Sequence, residues 1–438
     1  MKDTDKQISL IGRLYERIAR DRLEAIEGVD PHIVRALPRN FFVLLVSHIF
    51  TKIGDGLLNP KTTLTWLMSS LNVPVFLTGL LVPLRESGSM LPQALISGWI
   101  QSFHRRKNAW IIGSLSQGLC VLGMAVVAWT LSGKTAGLFI LALLLLFSLA
   151  RSICSISGKD LMGRAIPKRR RGRLSGWQTG VAGAVILGVG LFLGSLGGEQ
   201  PETSFLGALL LTAAVLWWIG AAFISLVAER PSSRDANKSD GLFGRISMLH
   251  EDAPFRRFVL ARALMMGSAL VAPYYVMLAQ TRTTGSIGTL GYLIFVSGMA
   301  QMLSSVFWGS LSDRSSRAVM ISASMLAGVL GLVVLAAEWV DGVVLDHAVW
   351  HAGVFFTLMV AHSGIRVGRK TFVVDLGGDD KRAHYVAVSN TVMGVLLLVV
   401  GSIGAVFGGV SPLAAIGFFT ASSLGGALYG LRLPNVTR

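Results

Sequence analysis

The chain has 438 residues, of which 52% are hydrophobic and 15% charged, with a mean hydropathy of +0.60 and a formal charge of +16. A soluble domain usually carries about 25% charged residues, so this composition cannot cover a water-facing surface and excludes an ordinary soluble fold. The basic residues are placed by topology rather than as a nucleic-acid footprint, as the order of the segments shows.

Residues 5–26 predict an amphipathic helix, with Ile8, Ile11, Leu14, Tyr15, Ile18 and Leu23 at helical spacing among charges. Such a helix lies either along the membrane face or on the protein's own loops. Twelve apolar segments follow, at 41–70, 75–102, 108–131, 135–159, 174–198, 204–228, 254–280, 286–312, 318–338, 347–373, 383–409 and 412–431. Each is long enough for a bilayer core, which needs about 20 residues. Of the 40 Lys and Arg, 33 fall on the side that an even number of spans gives to both termini. Lys61, Lys134 and Arg282 fall on the other side. This asymmetry predicts cytoplasmic termini in a plasma (inner) membrane. The sequence thus reads as an all-α membrane protein of twelve transmembrane helices in two pseudo-symmetric six-helix bundles. Its parts are a cytoplasmic amphipathic segment (1–40), a first bundle (41–228), a cytoplasmic linker (229–253) and a second bundle (254–438).

The first two spans carry four charges: Lys52, Asp55, Arg85 and Glu86. Each costs roughly 2.5–3.5 kcal/mol at the centre of a membrane helix, so each calls for a partner or a role. Lys52 and Asp55 share a face, whereas adjacent Arg85 and Glu86 diverge by about 100° and cannot both meet one partner. Cross-pairing of Asp55 with Arg85, of Lys52 with Glu86, or of both through water is expected. Asn59-Pro60 in span one and Pro273-Tyr274-Tyr275 in span seven predict kinks in both leading helices. Tyr274 lines either the cavity or the membrane interface. Span four carries Arg151; span ten carries His362 and Arg366 four apart on one face, an arrangement suited to an anionic group, with Arg369 and Lys370 nearer its end. Cys120 and Cys154 lie in apolar spans, and neither a disulfide, a metal-ligand spacing nor a phosphate-loop motif is present. No cofactor and no enzymatic reaction are expected.

The second half repeats the first at an offset of 211. The shift places Arg106 on Arg317, Arg151 on His362, Lys159 on Lys370, Arg171 on Arg382, and Gly98, Gly190 and Gly198 on Gly309, Gly401 and Gly409. Parallel six-helix repeats with a midplane site between them are a transporter architecture.

Three segments resemble signatures of the major facilitator superfamily. Gly309-Ser-Leu-Ser-Asp313-Arg314-Ser-Ser-Arg317 is similar to that family's loop motif. Pro167-Lys-Arg-Arg-Arg171-Gly172-Arg173-Leu-Ser-Gly176 resembles its Arg-Gly-Arg approach to span five, and Gly190-Leu-Phe-Leu-Gly194-Ser195-Leu-Gly197-Gly198 its antiporter glycine run. The pattern departs at Ser102, where the loop motif has an acid, at Ser155, where the span-four motif has glycine, and at Ser195, where antiporters have proline. The resemblance implies a permease that moves a small solute across a lipid bilayer by alternating access, coupled to protons, working as a monomer. On that reading Asp55 and Glu86 are protonation candidates beside Arg151. Lys52, Arg85, His362, Arg366 and Tyr274 are cavity candidates. Asp313, Arg314, Arg317, Arg171 and Arg173 form a cytoplasmic gate. A non-transporting relative with the same fold, an assembly factor or receptor, is the alternative.

Overall fold

A computed structural model of the chain describes residues 15–17, 31–93, 96, 99–100, 102–196, 202–229, 248–340 and 343–436. The side chains of 31–35, 168–169, 248–249, 305, 343, 378–384 and 387 are outside that description. Most of the 5–26 helix, most of the 229–253 linker, Gly98, Gly197, Gly198 and the Arg382 side chain therefore lie outside the described residues. Tyr15 is fully buried, edge-on to Phe41 at 5.3 Å and beneath the Arg170 guanidinium, so at this residue the terminal segment packs on the protein itself.

All regular structure among the described residues is helical. In the first half the helices are α1 (Pro31–Leu57), α2 (Thr63–Ser70), α3 (Val75–Gly79), α4 (Leu81–Met90), α5 (Arg106–Thr130), α6 (Gly133–Ala165), α7 (Lys168–Leu196) and α8 (Thr203–Ser225). The second half has α9 (Met248–Glu251), α10 (Ala253–Leu264), α11 (Gly267–Leu270), α12 (Ala272–Arg282), α13 (Ile287–Arg314), α14 (Ser316–Val340), α15 (Ala348–Val410) and α16 (Pro412–Gly430). Among the described residues, ten segments are long and apolar enough to cross a membrane, from Arg106–Thr130 to Pro412–Gly430. The stretches expected as spans one and two are not among them, because charges and breaks interrupt them. Pro60 cannot donate a backbone hydrogen bond, so α1 stops at Leu57 and helix resumes at Thr63. Asn59 Oδ1 stabilises the turn by accepting from the Lys61 amide at 2.9 Å. Pro273 sits in the first turn of α12, where a missing N–H costs nothing, just after the break at Val271.

Helix α15 runs 63 residues, which would be about 95 Å if straight and three times a bilayer core. Its contacts show that it doubles back. Phe372 stacks on Phe258 and His362 meets Ser268, whereas Ser389 meets Arg262 and the Gly404 carbonyl meets Tyr274. The first pair of contacts runs antiparallel to α10–α12 and the second runs parallel, with the turn between the spans Ala348–Gly377 and Val388–Val410.

The internal repeat is visible in packing. A Cβ on Gly190 of α7 would strike the Phe295 backbone of α13, and a Cβ on Gly401 of α15 would strike the Pro83 ring of α4. The 211 offset that relates the two glycines also brings Phe295 within one residue of Pro83. Both contacts join one half of the chain to the other. They lie toward the side away from the termini, where Gln280 also donates to Ser70 Oγ at 3.0 Å. Toward the terminal side, a Cβ on Gly172, Gly176, Gly180 or Gly183 of α7, or on Gly309 of α13, would meet nothing within 4 Å. The facing helices are thus pressed together at one end and border open space at the other.

Candidate functional site

Asp55 is the centre of an ion-pair cluster. Arg151 Nη1 donates to both of its carboxylate oxygens, and Arg85 Nη2 donates to Oδ1 at 3.0 Å. Three helices, α1, α4 and α6, are tied together here. The Arg85 side chain is 9% exposed and lies over the Phe147 ring at 5.1 Å, which adds a cation–π contact to the pair. Arg151 and Asp55 are more open, at 34% and 24% exposure. Lys52, one turn before Asp55, faces Asp55 and Arg151 rather than Glu86. Of the two expected cross-pairs, the one between Asp55 and Arg85 is therefore present; among the described residues Lys52 and Glu86 form no ion pair.

Glu86 uses the divergence of adjacent helix positions. While Arg85 points to Asp55 in its own half, Glu86 interacts electrostatically with Lys61, Arg366 and Arg369. It has no ion pair within 4.0 Å among the described residues. Arg366 and Arg369 likewise have no hydrogen-bonded partner among them, though both are at least partly buried. Lys61 reaches His362 Nε2 at 3.0 Å, and His362 Nδ1 faces Ser268 Oγ at 3.4 Å. An ammonium only donates, so Nε2 accepts and the imidazole is neutral with its proton on Nδ1. Arg151 and His362, equivalent under the repeat, thus each contact the leading helices of their own half, and His362 also contacts Lys61 of the other.

Lys61 was expected on the side opposite the termini. The Asn59-Pro60 break instead turns it into the bundle, where it reaches His362 on the other half. The break itself is the one sequence signal for this, since a lysine after Asn-Pro otherwise reads as a loop residue. Arg369 is also in the site rather than among residues that snorkel to the membrane surface. Tyr274 lies elsewhere: it is fully buried, donates to the Gly404 carbonyl at 3.1 Å and packs among Gly79, Gly408 and Phe419 where the halves meet.

The residues expected to form a gate lie on the terminal side. Arg171 donates to the carbonyls of Ile166 and Gly163 at 2.8 and 2.5 Å, and Arg317 to the Leu431 carbonyl at 2.6 Å, each within its own half. Asp313, Arg314 and Arg173 are exposed. The degraded motif at Ser102 is compensated by acids distant in sequence. Arg106 pairs with Asp160 at 2.6 Å, Asp160 also takes Arg164 at 2.9 Å, and Glu229 accepts the Arg106 and Lys107 amides at the start of α5. Ser102 Oγ reaches only the Trp99 carbonyl.

No protein-family model matches the chain, and no curated protein matches it by sequence. Solved structures match over nearly its whole length. A D-xylose–proton symporter superposes with a TM-score of 0.69 at 12% identity, covering 91% of this chain and 99% of that one. The nucleoside transporter NupG gives 0.68 at 13% identity, over 90% and 99%. A bacterial homologue of the iron transporter ferroportin, in an inward-facing state, gives 0.66 at 16%, over 92% and 100%. The chain has the major facilitator fold. With ten apolar helices long enough to span a bilayer, that fold makes it an integral membrane protein. Within the major facilitator fold, the charged cluster sits between the two repeats, where Lys61 and Glu86 of one half face His362, Arg366 and Arg369 of the other.

Proposed function

We propose that the protein is a secondary transporter that moves a small, negatively charged solute by alternating access, with protons as the coupling ion. The observation that carries this reading is the partly exposed Asp55–Arg85–Arg151 cluster, with Lys61 and Glu86 of the same half interacting with His362, Arg366 and Arg369 of the other. The solved structures it resembles are of carriers for a sugar with protons, nucleosides, metals and peptides, which supports transport without naming the solute. On this reading spans one and two, though broken, complete twelve spans in two six-helix bundles. The terminal side is cytoplasmic, and the open space there is the inward-facing cavity.

Asp55 is the proton site. A carboxylate held by two guanidiniums is ionised; movement of α6 against α1 within the first half that loosens Arg151 favours the protonated form of the carboxylate. Arg151, the more exposed of the two cations, is the one free to move, since Arg85 is fixed by burial and by Phe147. Glu86 is the second carboxylate available to protons. Asp313, Arg314, Arg317, Arg171 and Arg173 meet across the two halves when the cytoplasmic side closes. The test is internal pH in proteoliposomes during addition of anionic, cationic and neutral solutes. A solute-dependent proton flux in wild type that Asp55→Asn loses is expected. Normal uphill accumulation by Asp55→Asn would remove the proton assignment. Absence of flux with every solute, in folded protein, would favour the non-transporting reading.

A further inference from the structure

Six basic side chains, Lys52, Lys61, Arg85, Arg151, Arg366 and Arg369, interact with one or other of only two carboxylates, Asp55 and Glu86. Asp55 is saturated by Arg85 and Arg151. Lys52 shares Asp55 with them, which leaves Lys61, Arg366 and Arg369 with Glu86 as their one acidic neighbour in the cluster. Lys61 has a neutral imidazole as its hydrogen-bond partner, and neither Arg366 nor Arg369 has a partner among the described residues. Uncompensated charge of one sign is expensive between apolar helices, so the site is incomplete without a mobile anion. Guanidiniums three apart on one helix face suit an oxyanion with two or more acceptor oxygens, which they bind in forked geometry.

We infer that the solute is a compact dianion, a short dicarboxylate or a phosphate monoester, bound by Arg366, Arg369 and Lys61, and that Glu86 is the internal anion with which it competes. This rests on the transport reading above. A monoanion would do no more than Glu86 already does, whereas a dianion adds charge that Glu86 cannot supply. Glu86 is suited to the part because it interacts electrostatically with all three cations and forms an ion pair with none of them. It keeps the empty site from excessive repulsion and costs the solute some affinity.

The experiment is equilibrium binding to the full chain in lipid nanodiscs. The probes are succinate, its monoamide and its diamide, which share one skeleton and differ by single charges, and glycerol phosphate beside glycerol. The expected order is dianion, then monoanion, then neutral, with about tenfold in affinity per charge. Glu86→Gln should tighten the dianion about tenfold and leave the neutral probes unchanged, and Arg366→Gln should weaken it by a similar factor. The succinate and glycerol phosphate arms tell carboxylate from phosphate. Equal binding of all charge states, weaker dianion binding in Glu86→Gln, or no binding of any dianion at millimolar concentration would overturn the proposal. Proton-coupled flux of a monoanionic solute, with no flux of a dianion, would overturn it too while leaving the transport reading intact.

Discussion

Arg85 and Glu86 are adjacent, and the turn of about 100° between them sends one into its own half and the other toward the opposite half. That division was legible in sequence because four ionised groups in two apolar segments have no cheap explanation. Lys61 and Arg369 were harder to read, because a lysine beside Asn-Pro and an arginine near a span's end both have ordinary interpretations. Neutral His362 as a partner for Lys61 had no charge pattern to announce it. The energetic role of Asp55 is separable from its functional one. Among the described residues it is the one carboxylate in hydrogen-bond reach of buried Arg85. Asp55→Asn should therefore lower stability by about 3 kcal/mol, read as thermal unfolding in detergent. Adding Arg85→Met should recover much of the loss, because an apolar side chain of similar length removes the orphaned charge. A double variant no more stable than the single one would mean that the pair is not what holds Arg85 in place.

At the scale of elements, the helices long and apolar throughout were readable as spans, whereas the first two stretches break at Pro60 and at Leu80. Hydropathy sees neither break, because both are backbone events within apolar sequence; Asn59-Pro60 announces the first and nothing announces the second. Nor did it show that α15 carries helical backbone through the connection of two spans. The glycines divide into two groups that sequence could not distinguish. Gly190 and Gly401 abut the opposing half, while Gly176 and Gly180 border open space. Gly190→Ala and Gly401→Ala should hold the far side apart and reduce solute flux several-fold. Gly176→Ala and Gly180→Ala should be tolerated, with flux normalised to protein in the membrane as the readout. The terminal side has its own fastening in Glu229, which accepts two amides at the start of α5 at 2.8 and 3.0 Å. Glu229→Ala should cost about 1–2 kcal/mol of stability, as loss of a helix cap does, with Glu229→Gln intermediate.

For the whole molecule, the repeat was the most informative sequence feature, and its packing counterpart is the matched pair of glycine contacts that join the halves. A duplicated unit with two-fold related contacts can rock about a fixed midplane site, so closure at one end accompanies opening at the other. On the proposed transport reading, such rocking changes distances between halves, Lys61 to His362 and Glu86 to Arg366, while the Asp55–Arg85 pair within one half stays constant. That difference is what makes the site, on this proposal, a coupling device rather than a static lock.

The most direct test of alternating access is a pair of distance measurements between spin labels in a variant lacking Cys120 and Cys154. One pair, Gly172→Cys with Ser310→Cys, reports the terminal ends of α7 and α13; the other, Asn72→Cys with Thr281→Cys, reports the far side. The account predicts that lowering pH or adding the transported anion shifts populations reciprocally, the terminal pair shortening as the far-side pair lengthens. Distances that stay fixed at both ends under every condition, in protein reconstituted and folded, would contradict it.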